Sequence, residues 1–333
     1  MHATGPVQRP SSLTAPLSEL GFGCAAVAGR VSRRDSLAAL AAAYDAGITL
    51  YDTARSYGYG ESEGIVGDFL RGRRDSVVLC TKFGILPARQ GGWKQKLKPA
   101  ARGLLRLFPG LRKTVRRRAG DQFVPGQFTL ETLRTSFDTS LRELKTDYVD
   151  ILLLHAAPAS VLAQDDLLEA LERLVESGKV RMAGISAELP VIARYFVERP
   201  PVLATAQFAL NLANLAFTGQ TRANGDLLLV ANHPFGGPTG AAHAKTIVAS
   251  LGTNAALPQA LRDKLDPRDP QLLPELVLNC VLRGTGVRSV LAAMMQPRHI
   301  ASNVAAVANC RFTLEELDQL RAFLRAQPAN PPA

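Results

Sequence analysis

The chain has 333 residues, of which 47% are hydrophobic, so it can bury a sizeable core. That length accommodates either one large barrel of about 250 residues with additions or two ordinary domains. No apolar run reaches the roughly 18 residues that a membrane span needs. The formal charge is +10, yet 11 of the 39 Lys and Arg lie between Arg89 and Arg118, where there is no Asp or Glu. The remainder is close to neutral, so the charge belongs to one segment and argues against nucleic-acid binding by the fold as a whole.

Residues 1–16 lack the apolar stretch of a secretory signal and read as a flexible tail. Cys24, Cys80, Cys280 and Cys310 are scattered, without a C-x-x-C pair. Such spacing fits reduced, buried thiols in a cytoplasmic protein and offers no zinc site, so no metal is expected.

In chain order, eight apolar, β-branched-rich runs follow: LGFGCAAV, ITLYD, SVVLCTKF, YVDILLLH, VRMAGIS, VLATAQF, DLLLVAN and RSVLAAM. Near-continuous apolar strands are expected of a parallel sheet covered on both faces. Helical stretches lie between most of them. DSLAALAAAYDAG opens on an Asp placed to cap it and closes on a Gly, and Thr313 and Glu316 stand at capping-box spacing. The pattern predicts one α/β domain over residues 17–330, a (β/α)8 TIM barrel. Residues 84–127 form a long basic insertion after the third barrel strand, far exceeding a usual βα loop. GYGESEG, with Gly58, Gly60 and Gly64, superficially suggests a dinucleotide fingerprint. Its spacing is wrong, and Glu61 and Glu63 would repel a pyrophosphate at a helix N-terminus, so it reads as a Gly-rich turn.

Barrel enzymes carry their reactive groups at the C-terminal ends of strands. Here Asp52, Lys82, His155, Ser186 and Gln207 end or nearly end successive strands, with Tyr57 in the loop after Asp52. Each alone has a structural explanation, as a cap or a solvated end. Together they suit proton-coupled hydride transfer. A phenol titrates near 10, too high for easy proton donation at neutral pH. A neighbouring ammonium stabilises the phenolate, a carboxylate keeps that ammonium charged, and a histidine can orient a carbonyl oxygen.

YDTARSYGYGESEGIVGDFL, VVLCTKFG, TDYVDILLLH, GKVRMAGIS, the Gln207–Asn211 pair and VANHPFGG together resemble the aldo-keto reductase family, from about Leu17 to Leu324. The resemblance implies Tyr57 as general acid/base, Lys82 and Asp52 as its tuning pair, and His155 as the residue that orients the substrate. It implies Ser186 and Gln207 on the nicotinamide carboxamide, with Asp52 nearby. Gly23, Cys24, His233, Pro234, Phe235, Gly236, Gly237, Met294 and Gln296 would line the cofactor, and Asn303 would meet the adenine. The expected partners are NAD(P)(H) and a small carbonyl or alcohol substrate.

Several positions depart from the family pattern. Ala187 stands where an Asn is common, and Asn232 where an aromatic often stacks on the nicotinamide. Ala293, Met294, Met295 and Gln296 replace the usual binders of a 2′-phosphate, and His299 replaces an adenine-side Arg. Arg298 is the substitute at hand. The thin clamp favours NAD over NADP. The basic insertion, emerging on the catalytic face, reads as a solvated flap or as a lid for an anionic substrate, with membrane-surface and nucleic-acid roles less favoured. An NAD-dependent sugar or polyol dehydrogenase is the alternative within the same chemistry. A nucleotide-sensing regulatory subunit is the alternative of another class.

Overall fold

The computed structural model describes residues 13–29, 31–87 and 123–326. Eight parallel strands close into a barrel: β1 (Leu20–Gly23), β2 (Leu50–Asp52), β3 (Val78–Phe83), β6 (Val149–His155), β7 (Val180–Ser186), β8 (Leu203–Ala209), β9 (Leu228–Asn232) and β10 (Ser289–Ala292). Seven lie inside the apolar runs named above, and β8 runs one residue past its own, to Ala209. Two short strands, β4 (Leu86–Pro87) and β5 (Phe123–Val124), pair antiparallel and close the base of the long insertion. The body of that insertion, residues 88–122, lies outside the described residues, as does the basic run it carries.

Alternation along each strand divides two cores. Leu50, Val78, Cys80, Ile151, Leu153, Met182, Leu228, Val230 and Leu291 fill the barrel interior. Their outward-facing neighbours, such as Tyr51, Leu79, Leu152, Leu154, Ile185 and Leu229, pack under the surrounding helices. The tail expected through residue 16 is packed from Leu13 onward. Leu13, Ala15 and Leu17 lie under the interior core, and the Thr14 backbone N–H donates to Asp150 Oδ1 at 2.8 Å. An alternating apolar pattern at the floor of a barrel is a plug, which composition alone conceals.

Two helix starts show how far local signals reach. Thr313 and Glu316 form the expected reciprocal cap, with Thr313 N donating to Glu316 Oε2 at 2.8 Å and Glu316 N to Thr313 Oγ1 at 3.2 Å. The helix Arg33–Asp45, by contrast, is capped by Ser32, whose hydroxyl accepts from Asp35 N at 3.1 Å. Asp35, expected as the cap, sits in the first turn, where a carboxylate favours the helix dipole. Between β9 and β10 the chain adds the helices Gly237–Leu251, Gln259–Arg262 and Leu272–Leu282. Together with Leu314–Ala326 they form a satellite core. Among the described residues, no helix is long and apolar enough to cross a membrane.

Candidate active site

Strand register brings the polar strand ends to one end of the barrel. Gly23 stands opposite Asp52, His155 opposite Ser186, and Ser186 opposite Gln207. Lys82 lies along the neighbouring strand, its side chain fully buried. Its Nζ donates to Asp52 Oδ1 at 2.7 Å and Oδ2 at 2.6 Å, to the Thr53 carbonyl at 3.0 Å and to Tyr57 Oη at 3.3 Å. The ammonium thus spends its donors on a carboxylate, a carbonyl and a phenol, a geometry that makes a buried ion pair tolerable.

Tyr57 reaches this position because the chain turns sharply after β2. The turn Tyr57–Gly60 holds Gly58 at φ 58°, and a Cβ there would meet the Val27 carbonyl oxygen at 2.4 Å. Only glycine fits so close a backbone approach. The Tyr57 ring lies edge-on to His155, with centroids 5.7 Å apart.

Burial and charge set the protonation states. Burial alone would neutralise Lys82, but the charge and hydrogen bond of Asp52, together with Tyr57 and Cys80, outweigh it and hold the ammonium above its ordinary value. His155 is pushed down to about 3, first by burial and then by Lys82, so its imidazole is neutral. The Tyr57 phenol is raised by burial, with Lys82 opposing. The ammonium was expected to lower this phenol outright; desolvation of the phenolate outweighs it, and Lys82 limits the rise. Among the described residues, His155 Nδ1 is buried without a hydrogen-bond partner. Such an orphan is costly unless a bound polar atom meets it.

Ser186 and Gln207 lock together beside this cluster. Ser186 Oγ donates to Gln207 Oε1 at 2.9 Å, and Gln207 Nε2 donates to Asp52 Oδ1 at 2.9 Å. Asn232 Nδ2 approaches Gln207 Oε1 at 3.4 Å, and Asn232 Oδ1 pairs with His233 Nδ1 at 2.8 Å.

A cavity of about 340 Å³ opens at this end of the barrel, lined by Gly23, Ala25, Ala26, Asp52, Tyr57, Asn232, His233, Pro234, Phe235, Gly237, Leu291, Ala292 and Ala293, whereas Lys82, His155, Ser186 and Gln207 lie beside it and off its wall. Its walls suit a nicotinamide nucleotide. Small residues allow close approach of a flat ring. The helix Gly237–Leu251 begins at the wall with no acidic residue in its first turn and no side-chain cap, its N-cap Gly236 held at φ 77°. Free N–H groups there can receive a diphosphate.

The expected cofactor residues divide accordingly. Gly23, Asp52, His233, Pro234, Phe235 and Gly237 line the cavity, and Gly236 caps the helix beside it. Cys24 and Met294 do not line it: both side chains are fully buried in the outer core. Their neighbours Ala25, Ala26 and Ala293 take the wall instead. Gln296 is exposed, and Asn303 is buried on the helix Pro297–Ala308, neither on the cavity wall. The wall alanines carry no chemical signal in sequence, because they contribute space and backbone. Among the described residues, no cluster of His, Cys, Asp and Glu could hold a metal.

Comparison with known proteins follows the same lines. The model of the aldo/keto reductase family matches residues 19–209. Aldo-keto reductase YhdN of Bacillus subtilis (strain 168) is 31% identical over 175 residues, covering 51% of this chain and 43% of that protein. The match spans about half the length of such relatives. L-galactose dehydrogenase of Arabidopsis thaliana is 26% identical over 337 residues, covering 92% of this chain and 91% of that one. A solved aldo/keto reductase of Klebsiella pneumoniae, in complex with NADP and acetate, superimposes with a TM-score of 0.64 at 24% identity, over 94% of each chain. A match covering most of the barrel from β1 to the end of β8, on a closed barrel with the strand-end cluster in place, puts the chain in the aldo/keto reductase family.

Proposed function

We propose that this chain is a nicotinamide-dependent oxidoreductase that interconverts an aldehyde or ketone with its alcohol, Tyr57 acting as general acid/base. The observation that carries the reading is the Asp52–Lys82–Tyr57 contact set at the mouth of the cavity. When bound, the nicotinamide supplies or accepts the hydride. The protein's part is to hold the carbonyl and manage one proton. In reduction, the Tyr57 hydroxyl donates its proton to the carbonyl oxygen as that oxygen gains negative charge. The Lys82 ammonium stabilises the phenolate left behind, and Asp52 keeps Lys82 charged and placed. Neutral His155 donates a ring N–H to the same carbonyl oxygen. In oxidation the proton returns from the alcohol to the phenolate. Ser186 and Gln207 supply the hydrogen-bonding edge for a carboxamide. Unpaired thiols, three of them buried, suit a reducing cytoplasm.

A second reading is oxidation of an aldose or polyol. L-galactose dehydrogenase matches along almost the whole chain, and Asn232 places a polar amide on the cavity wall where the family commonly has an aromatic. Steady-state assays in both directions, with simple aldehydes and with aldoses, separate the two. Reduction of simple aldehydes at the higher kcat/KM supports the first reading, and oxidation of aldoses at the higher kcat/KM supports the second.

A desolvated phosphate without cationic or donor partners is costly. Ala293 and Met295 offer no side-chain donor, Met294 is buried, and Arg298 is exposed in the first turn of its helix. NAD(H) is therefore expected to bind at least as tightly as NADP(H), although the Klebsiella pneumoniae relative holds NADP. Fluorescence titration of both nucleotides checks this. Preference for NADPH that disappears in Arg298→Ala would make Arg298 the clamp and reverse the expectation.

The substrate is proposed to be anionic, on the strength of the 11 cations between Arg89 and Arg118. Electrostatic attraction is screened as the Debye length falls from about 10 Å at 0.1 M to about 3 Å at 1 M salt. Raising salt should raise KM for an anionic carbonyl compound and leave a neutral one of similar size nearly unaffected. Equal salt sensitivity of the two substrates would remove the anionic assignment.

A further inference from the structure

The loop that carries Tyr57 crosses left-handed backbone at three successive residues, Gly58, Tyr59 and Gly60, with φ of 58°, 60° and 87°. A non-glycine residue persists in that region only where its surroundings impose it. A buried ion pair spans this loop. Arg55, three residues after Asp52, donates from Nη1 to Glu63 Oε2 at 2.8 Å; the two side chains are 13% and 1% exposed. Glu63 lies in the first turn of the helix Ser62–Phe69, and its other oxygen, Oε1, accepts from Thr81 Oγ1 at 2.6 Å. Thr81 immediately precedes Lys82 on β3, so its side chain leaves the opposite face of the strand. One carboxylate thus ties both ends of the Tyr57 loop to the strand that presents the ammonium. None of Arg55, Glu63 and Thr81 lines the cavity.

The pair has no evident reason of its own to be buried. Charges are costly to desolvate, and a hydrophobic packing of similar volume is often as stable or more so. What the pair supplies is a fixed separation between loop and strand. Tyr57 Oη stands 3.3 Å from Lys82 Nζ, at the outer limit of a hydrogen bond. Small movement of the loop would break that contact. We propose that Arg55 and Glu63, clamped on Thr81, are positioning residues that hold the Tyr57 hydroxyl against Lys82. The effect on turnover rests on the function proposed above; the effect on the Tyr57 phenol does not.

The titration of Tyr57 is the direct readout. Burial raises it most; Lys82 and Cys80 on β3 and Asp52 on β2 act on it by charge, and the neutral His155 ring on β6 lies edge-on to it. Of these, Lys82 is the one that lowers the phenol, so drawing the hydroxyl away from it while the ring stays buried against His155 raises the titration point. The experiment uses the full chain with tyrosines labelled at the ring carbon bearing oxygen. Tyr57 is assigned by the signal lost in Tyr57→Phe. The variant Arg55→Met/Glu63→Gln removes both charges, so no buried charge is left unpaired. The Tyr57 signal should titrate at higher pH than in wild type, in the direction Lys82→Met also takes. kcat for carbonyl reduction should fall about 10²-fold, the scale of a misplacement near 1 Å. The dissociation constant for the nucleotide should stay unchanged. Arg55→Lys, which keeps the charge, should restore most of the loss.

A folded double variant with wild-type titration of Tyr57 and wild-type kcat overturns the proposal. Should the double variant fail to fold, Thr81→Val, which removes one hydrogen bond and no charge, decides in its place. It should raise the Tyr57 titration, and an unchanged titration overturns the proposal. If wild type turns over no carbonyl compound with either nucleotide, the functional reading fails. The Tyr57 titration still decides the positioning role.

Discussion

Replacing Tyr57 with Phe should lower turnover by at least the roughly 10²–10⁴-fold that general acid catalysis contributes. The substitution removes one oxygen and keeps the ring that packs edge-on to His155. Nucleotide affinity and thermal stability should therefore stay close to wild type. Lys82 keeps Asp52 and the Thr53 carbonyl as partners in this variant, so no buried charge is orphaned. Stopped-flow or steady-state rates, read beside an equilibrium nucleotide titration, check it. Unchanged turnover would exclude Tyr57 as proton donor.

Lys82→Met should have two separable effects. Turnover should fall about 10²–10³-fold, the scale seen when one electrostatic stabiliser is removed from an active site. Stability should fall by about 3–5 kcal/mol, because the Asp52 carboxylate remains buried without its counter-ion. The double variant Asp52→Asn/Lys82→Met removes both charges and should recover much of the stability without the activity. The pH dependence has a definite sign. Lys82 titrates above its ordinary value in the folded chain because of Asp52. Its contribution to stability is therefore complete below the unfolded lysine pKa of about 10.4. It is lost only as pH rises through the higher folded value. In the oxidative direction, which needs phenolate, the alkaline limb should move to higher pH once the ammonium is gone. Denaturation midpoints and a pH–rate profile read the two effects independently. A variant with wild-type rate and profile would leave Lys82 a structural residue.

Much of the barrel is legible in sequence because parallel strands buried on both faces must be apolar nearly throughout. The polar residues that interrupt them, Asp52, Lys82, His155, Ser186 and Gln207, therefore stand out. Each occurs at a strand's end, where the barrel opens. Register then gathers them at one end of the barrel, which the order of the runs already suggests. Less was legible where the contribution is made by backbone or space. Ala25, Ala26 and Ala293 line the cavity, while their neighbours Cys24 and Met294, chemically the more conspicuous residues, pack into the core. Side-chain direction at a strand's end depends on where the strand stops. β1 stops at Gly23, earlier than the apolar run through Val27 suggested. Glu63 is the reverse case. As one of two acids in a Gly-rich turn it looked like a reason to reject a phosphate site, and it is the buried centre of a clamp. Its partners Arg55 and Thr81 lie 8 and 18 residues away, on different elements, a pairing that periodicity cannot reveal. The plug at Leu13–Leu17 is hidden in the sequence because five residues of mixed character resemble a tail until the barrel floor is present to receive them.

The proposed task of the Asp52–Tyr57–Lys82–His155 cluster is to support hydride transfer between a nicotinamide nucleotide and a carbonyl carbon. Isotope transfer tests it most directly. Wild-type chain is incubated with an aldehyde and with NADH, or in parallel NADPH, deuterated at the transferable position of the ring, and the alcohol formed is weighed by mass spectrometry. The account predicts an alcohol carrying one deuterium on the former carbonyl carbon, formed with wild type and suppressed in Tyr57→Phe. Nucleotide that binds in the cavity but delivers no deuterium to any aldehyde, ketone or aldonolactone would contradict it and leave the cluster a nucleotide-sensing site.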